Sequence, residues 1–299
     1  MIPKLIPAFQ IKRKIMGLVA LALLASCSSP AEQFPPPSPA LWEVTSTDGT
    51  REGWLFGTIH ELPDGVNWRT DALNKALGQS EWLMVEVGDL DDSGKVSQIF
   101  AELALSAQQP PLIERVDQEH REQLVALMTA GDFKNGDFAQ VETWAAALTL
   151  ARIFSAGKPE NGVDRILIGE FAAKIELEGA RKQLSIFDSL AEEDQRDLLE
   201  GIIRESSAAE SGPRHRLAKS WLQGDLDALL DPSSDTILSD PELRAALLTN
   251  RNTAWVETIT EELPQKGPMM IAVGAAHMLG EDGLPALLRK SGYTVERIQ

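Results

Sequence analysis

The same short pattern closes an apolar run near each end of the chain. Gly53-Trp54-Leu55-Phe56 runs into Gly57-Thr58-Ile59-His60-Glu61-Leu62-Pro63-Asp64-Gly65. The run 268–273 leads into Gly274-Ala275-Ala276-His277-Met278-Leu279-Gly280-Glu281-Asp282-Gly283. Both copies read strand, Gly-x-x-His-x-Leu, then Asp-Gly. With 22 Gly and 4 His in 299 residues, composition alone supplies about 0.3 such Gly-x-x-His matches, so the pair marks a duplicated strand–loop unit. Strands at both chain ends with helical sequence between them must join in one sheet. The expected fold is therefore α/β (α+β): a single body over 41–299 with a central mixed sheet built from both ends and a helix-rich middle.

The rest of the pattern fits that frame. Residues 41–56 read as a hairpin around Asp48-Gly49, 71–79 as a short helix and Trp82-Leu83-Met84-Val85-Glu86-Val87 as a buried strand. Helical periodicity covers 95–108, 118–130, 140–155, 162–178, 192–207, 213–223 and 241–262, with Gly212, Gly224-Asp225 and Asp240 as punctuation. Gln183-Leu184-Ser185-Ile186-Phe187 reads as a strand between two of these helices. A strand, helix and strand at 268–273, 283–289 and 293–298 complete the chain.

Residues 1–26 hold Lys4, Lys12, Arg13 and Lys14, no acid, and an apolar run from Ile15 to Leu24. That run is too short to span a bilayer and has the form of a secretory signal. Leu24-Ala25-Ser26-Cys27 resembles a bacterial lipobox, and Cys27 is the only cysteine. The expectation is lipidation of Cys27 with acyl chains such as palmitate and a membrane anchor, with the body facing the periplasm. Ser28 after the cysteine points to the outer membrane. Residues 27–40, rich in Pro and Ser, read as an extended, unpaired tether. One cysteine excludes an intrachain disulfide, and its commitment to the anchor excludes cysteine catalysis. The chain carries 28 basic and 45 acidic residues. Loss of the four basic residues of the signal takes its net charge from −17 to −21. Such acidity excludes non-specific nucleic-acid binding, and 6% aromatic residues offer no stacking platform.

Gly57 and Gly274 let the backbone turn tightly and come close to neighbours at the strand ends. In open α/β sheets ligands gather beyond the carboxyl ends of strands. Histidines His60 and His277 brought together there would form a metal site, a catalytic pair, or two hydrogen-bonding strand caps. Glu86 sits among apolar residues, and a buried carboxylate needs a cation or metal partner. Two histidines and a carboxylate suit Zn, Mn, Fe or Co. Arg251 falls on the apolar stripe of its helix, so it either reaches out to solvent or meets a carboxylate or an anionic substrate group. Asp164 reads as capping or beginning a helix, Glu61 and Asp282 as loop caps or general bases. His120 and His215 read as solvated helix-surface residues, and Glu192-Glu193-Asp194 as acids complementing a helix dipole. The sequence has no Walker A loop, Gly-x-Gly-x-x-Gly, His-Glu-x-x-His or Gly-x-Ser-x-Gly.

In these motifs the chain resembles the TraB/GumN (Tiki) family. Leu41-Trp42-Glu43-Val44, Phe56-Gly57-Thr58-Ile59-His60-Glu61-Leu62-Pro63, Val85-Glu86-Val87 and Gly162-Val163-Asp164 fall in the family's order. Trp221-Leu222-Gln223-Gly224-Asp225, Arg251-Asn252 and 273–284 follow. Phe187-Asp188 and Asn250 depart from the family pattern. The resemblance implies an α/β fold and, by analogy with animal members, a metal-dependent protease using Mn or Co. His60, Glu86 and His277 would then be metal ligands or catalytic residues, and Arg251 a site-lining residue. More distant resemblance extends to erythromycin esterases and a haem-binding lipoprotein.

Two functions follow as expectations. The first is a lipid-anchored metal-dependent hydrolase (Mn, Co or Zn) acting on a peptide or protein substrate. In it a metal on His60, His277 and Glu86 would polarise a carbonyl and lower the pKa of bound water, with Glu86 and Arg251 in catalytic roles. The alternative is a non-catalytic envelope lipoprotein that binds haem or a metal ion, with Trp54, Phe56 and Trp82 forming an apolar cleft.

Overall fold

The structure is a computed structural model that describes residues 33–299 except 91, 212–214 and 231–235. Cys27, the signal before it and residues 28–32 of the expected tether lie outside the described residues. The body, Phe34–Gln299, is one compact unit. In chain order it comprises β1 (Leu41–Thr45), β2 (Arg51–Thr58), α1 (Asp71–Gln79), β3 (Trp82–Val85), α2 (Ser93–Ala104) and α3 (Arg121–Ala130). There follow α4 (Thr143–Ala151), α5 (Val163–Glu170), β4 (Lys174–Glu176), α6 (Gly179–Asp188), α7 (Glu192–Ser211) and α8 (Arg216–Leu222). The last are α9 (Pro241–Arg244), α10 (Asn250–Lys266), β5 (Met269–Gly274), α11 (Leu284–Lys290) and β6 (Thr294–Arg297).

The strands form one six-stranded mixed sheet in the order β4-β3-β5-β2-β1-β6. The inner strands β2, β5 and β3 are buried on both faces, which explains their unbroken apolar sequences. β2 and β5 run parallel with Gly57 opposite Val273 and Thr58 opposite Gly274, and β3 joins β5 with Val85 opposite Ala272. That register brings both Gly-x-x-His loops and Glu86 to one sheet edge, the carboxyl ends of three neighbouring strands. A Cβ on Gly57 would lie 3.1 Å from the Ala275 Cα, so glycine lets the second loop pass close over the first.

A second core, wholly helical, packs Leu124, Trp144, Leu150, Leu199 and Ile202 from α3, α4 and α7. Its polar anchor is Arg115, fully buried, whose guanidinium donates to the carbonyls of Pro110, Phe138 and Val141 at 2.7–2.9 Å. Burial holds its pKa below the ordinary arginine value. Nothing in the sequence singled it out.

Several expected elements are corrected. The helix expected over 162–178 ends at Glu170, and Lys174–Glu176 pairs with β3 as a short edge strand. Gln183–Phe187, expected as a strand, lies inside α6. Ala180, Leu184 and Phe187 stand at i, i+4 and i+7 and pack as one helical face, and this spacing prevailed over the period-2 alternation. The helix expected over 241–262 contains a π turn at Ala245–Thr249, directly before Arg251. His120 is mostly buried, 3.4 Å from Glu200. His215 is half-buried with its ring 5.7 Å from that of Phe34. The described end of the tether is not free of the body. Phe34 packs on the sheet core, and the Ser38 N–H donates to the Leu222 carbonyl at 2.6 Å.

Candidate functional site

His60 stands two residues beyond the end of β2, and its loop is fixed from beneath by α5. The Val163 N–H donates to the Ile59 carbonyl at 2.9 Å, and His60 Nδ1 meets Asp164 Oδ2 at 2.6 Å. Gly162 is what allows this approach, since a Cβ there would sit 2.3 Å from the His60 carbonyl oxygen. Asp164 does begin α5, as the sequence suggests, but its carboxylate is the imidazole's partner. The signal available was its place in Gly-Val-Asp, which spacing alone could not connect to a histidine 104 residues away. The His60 side chain is 66% exposed and lines two cavities. The surrounding protein opposes its charge, but Asp164, helped by Glu86, outweighs this and raises its pKa to about 9.

The second histidine has a different environment. His277 is buried and packs against Trp255, the rings tilted by 38° with centroids 4.3 Å apart. Its Nδ1 lies 2.6 Å from Asn252 Oδ1, and its Nε2 lies 3.2 Å from Arg251 Nη1. A guanidinium only donates, so Nε2 accepts and Nδ1 carries the proton to Asn252. Burial, reinforced by Arg251 and His60, pushes its pKa down to about 3 despite Glu86 nearby.

Between the histidines lies an ion network. Glu86 Oε1 accepts the Gly274 N–H at 2.8 Å, and Oε2 accepts Arg251 Nη2 at 2.6 Å and Gln183 Nε2 at 2.9 Å. Burial favours the neutral acid, but the cationic neighbours and the Gly274 N–H hold Glu86 down at about 2. With His277 neutral, Arg251 is the main source of that effect near pH 7. Arg251 also grips the buried Glu178 through Nε and Nη2 and donates to the Leu247 carbonyl at 3.0 Å. All five of its N–H groups therefore have acceptors. Of the two alternatives read in the sequence, it meets carboxylates. Gly274 sits at the centre: a Cβ there would lie 3.3 Å from Glu86 Oε1 and 3.7 Å from His60 Nε2.

Two adjoining cavities of about 230 and 530 Å³ meet at Thr58, His60, Glu86 and Gln183. The Thr58 hydroxyl, buried at this junction, has no hydrogen-bond partner. Glu61 bonds the Ser155 hydroxyl, and Asp282 accepts from Arg244 and Thr249, so both brace loops. Trp54 and Phe56 are core residues and Trp82 lies under Lys266, so the three aromatics proposed for a haem cleft do not line these cavities.

As arranged, the residues do not fit a metal ion. Both His277 nitrogens and both Glu86 oxygens are engaged, and a guanidinium occupies the space between them. Among the described residues no group of three or more His, Cys, Asp or Glu side chains could hold a metal ion.

The fold and site define an α/β protein with two strand–Gly-x-x-His loops converging on a buried Glu–Arg pair at one sheet edge. The chain belongs to the TraB/PrgY/gumN family, whose model matches residues 40–297. It is 26% identical over 252 residues to the uncharacterized protein YbaP of Shigella flexneri and to that of Escherichia coli (strain K12). Each match covers 81% of this chain and 89% of the relative. No solved structure matches it.

Proposed function

We propose that this chain is a hydrolase of the bacterial cell envelope, anchored through lipidated Cys27, that cleaves peptide bonds with His60 as the proton carrier. The observation that carries this reading is the inequality of the two histidines. His277 has both nitrogens committed, whereas His60 is oriented by Asp164 through Nδ1 and leaves Nε2 beside two cavities. A carboxylate–imidazole pair open on one side is the arrangement of a general base that later acts as an acid.

In the proposed cycle neutral His60 takes a proton from water through Nε2 as the water oxygen adds to the carbonyl carbon. The C–N bond then breaks, and the imidazolium returns the proton to the departing nitrogen. Water and amide become acid and amine, and His60 is regenerated. Arg251, Glu86 and His277 hold the loops in place and so act as positioning residues. Metal dependence is a separate claim. A site for Mn, Co or Zn on His60, His277 and Glu86 requires Arg251 to withdraw, and elemental analysis of the purified chain tests it.

The test is a screen of blocked peptides against the purified full chain, with and without those metals, over about pH 6 to 10. Cleavage lost in His60→Ala supports the reading. No cleavage under any condition contradicts it and favours a binding lipoprotein.

A further inference from the structure

The larger cavity has one charged wall and one apolar wall. His60, Glu86, Arg251 and His277 form the first; Leu148, Leu184, Phe187, Leu217, Leu247 and Leu248 face them. These apolar residues come from α4, α6, α8 and the π turn, so four separate elements turn hydrocarbon toward one space. Elsewhere in the body such residues interlock as core. Here five of the six remain partly exposed, and Leu217, at the rim, is 53% exposed. A void of about 530 Å³ is within the range of small-ligand sites and holds a bulky side chain with its flanking backbone.

Charge limits what enters. On the wall itself Glu86 offsets Arg251; behind it the carboxylates of Asp164 and Glu178 bond His60 and Arg251, so the cluster as a whole is net negative whether or not His60 is protonated. The whole chain carries −17. An anionic ligand is repelled, and a neutral one with a large hydrocarbon group is not.

The geometry points to a specificity subsite: the apolar wall receives a bulky aliphatic or aromatic side chain next to the bond presented to His60. The substrate class is thus neutral peptide segments with Leu- or Phe-like residues. This rests on the hydrolase reading for the chemistry but not for the binding, so binding and cleavage are measured separately.

The full chain is titrated by calorimetry with acetyl-Ala-Leu-Ala-amide and its Phe, Ala and Asp counterparts, and cleavage of the same peptides is followed by chromatography. The Leu and Phe peptides are expected to bind at least about 10-fold more tightly than the Ala peptide, with Asp weakest. Leu217→Asp, at an exposed rim where the fold tolerates it, removes the preference, and Leu217→Met retains it. Preference in binding without cleavage upholds the subsite and overturns the hydrolase reading. Cleavage without preference, or a preference unchanged in Leu217→Asp, overturns the subsite. Neither binding nor cleavage overturns both.

Discussion

Replacing Arg251 with alanine removes the cation that bridges two buried carboxylates, Glu86 and Glu178. The three side chains are only 10, 9 and 2% exposed, so water does not replace what is lost. Glu86 shows the direction of the effect. Its pKa falls from 4.5 to about 2 in the folded chain, so its ionised form stabilises the fold at neutral pH. Breaking one side of a buried pair costs about 3–5 kcal/mol in general, because the remaining charge has no partner. For a body of this size that is a fall in melting temperature on the order of 10 °C. The pH dependence gives the stronger test. A carboxyl with a depressed folded pKa stabilises above its ordinary value of 4.5, and the effect fades as pH falls toward 2. In Arg251→Ala the depression is reduced, with His60 and the Gly274 N–H remaining, so the gap to wild type is widest near pH 7 and narrows below 4.5. Thermal unfolding followed by circular dichroism at pH 7, 5 and 3.5 measures it. Equal melting temperatures at pH 7, or a gap that stays constant into acid, would refute the assignment of Arg251 as the cation holding this network.

His60→Ala is expected to reduce cleavage by about 10²–10⁴-fold and to lower the melting temperature at neutral pH, because the buried Asp164 carboxylate loses its imidazole partner. With His60 as the base, kcat/KM rises with pH through an inflection near 9, and in Asp164→Asn the inflection moves down toward 6.5; a profile falling between pH 7 and 9 contradicts this. Gly162→Ala drives a methyl group into the His60 carbonyl, with a contact of 2.3 Å to relieve. It should cost about 1–3 kcal/mol by denaturant unfolding and separate His60 from Asp164. Elemental analysis should find metal well below one ion per chain in the wild type, since Arg251 already occupies the space between Glu86 and His277.

The sheet was legible because its central strands are long apolar runs that end in a rare repeated pattern. The parallel register of β2, β5 and β3 then brings His60, His277 and Glu86 to one edge. The misread stretch, 171–188, is where alternation and helical spacing coexist in the same residues. Only tertiary contact decides there: Ala180, Leu184 and Phe187 have helices to pack against, and Lys174–Glu176 finds a free edge of β3. The division of labour between the histidines was also hidden. Nothing in Gly-x-x-His tells which imidazole will meet a carboxylate on α5 and which an amide and a guanidinium on α10. Arg115 was hidden for the same reason, as its carbonyl partners come from turns that have no sequence signature.

The two copies of one motif hold their histidines in opposite protonation states near pH 7. With only 4 histidines in the chain, their ring resonances can be followed individually by NMR through a pH titration, with His60→Ala and His277→Ala as assignments. The expected result is one imidazole titrating near 9 that disappears in His60→Ala, and one still neutral at pH 5 that disappears in His277→Ala. Two motif histidines titrating together near 6.5 would contradict the account.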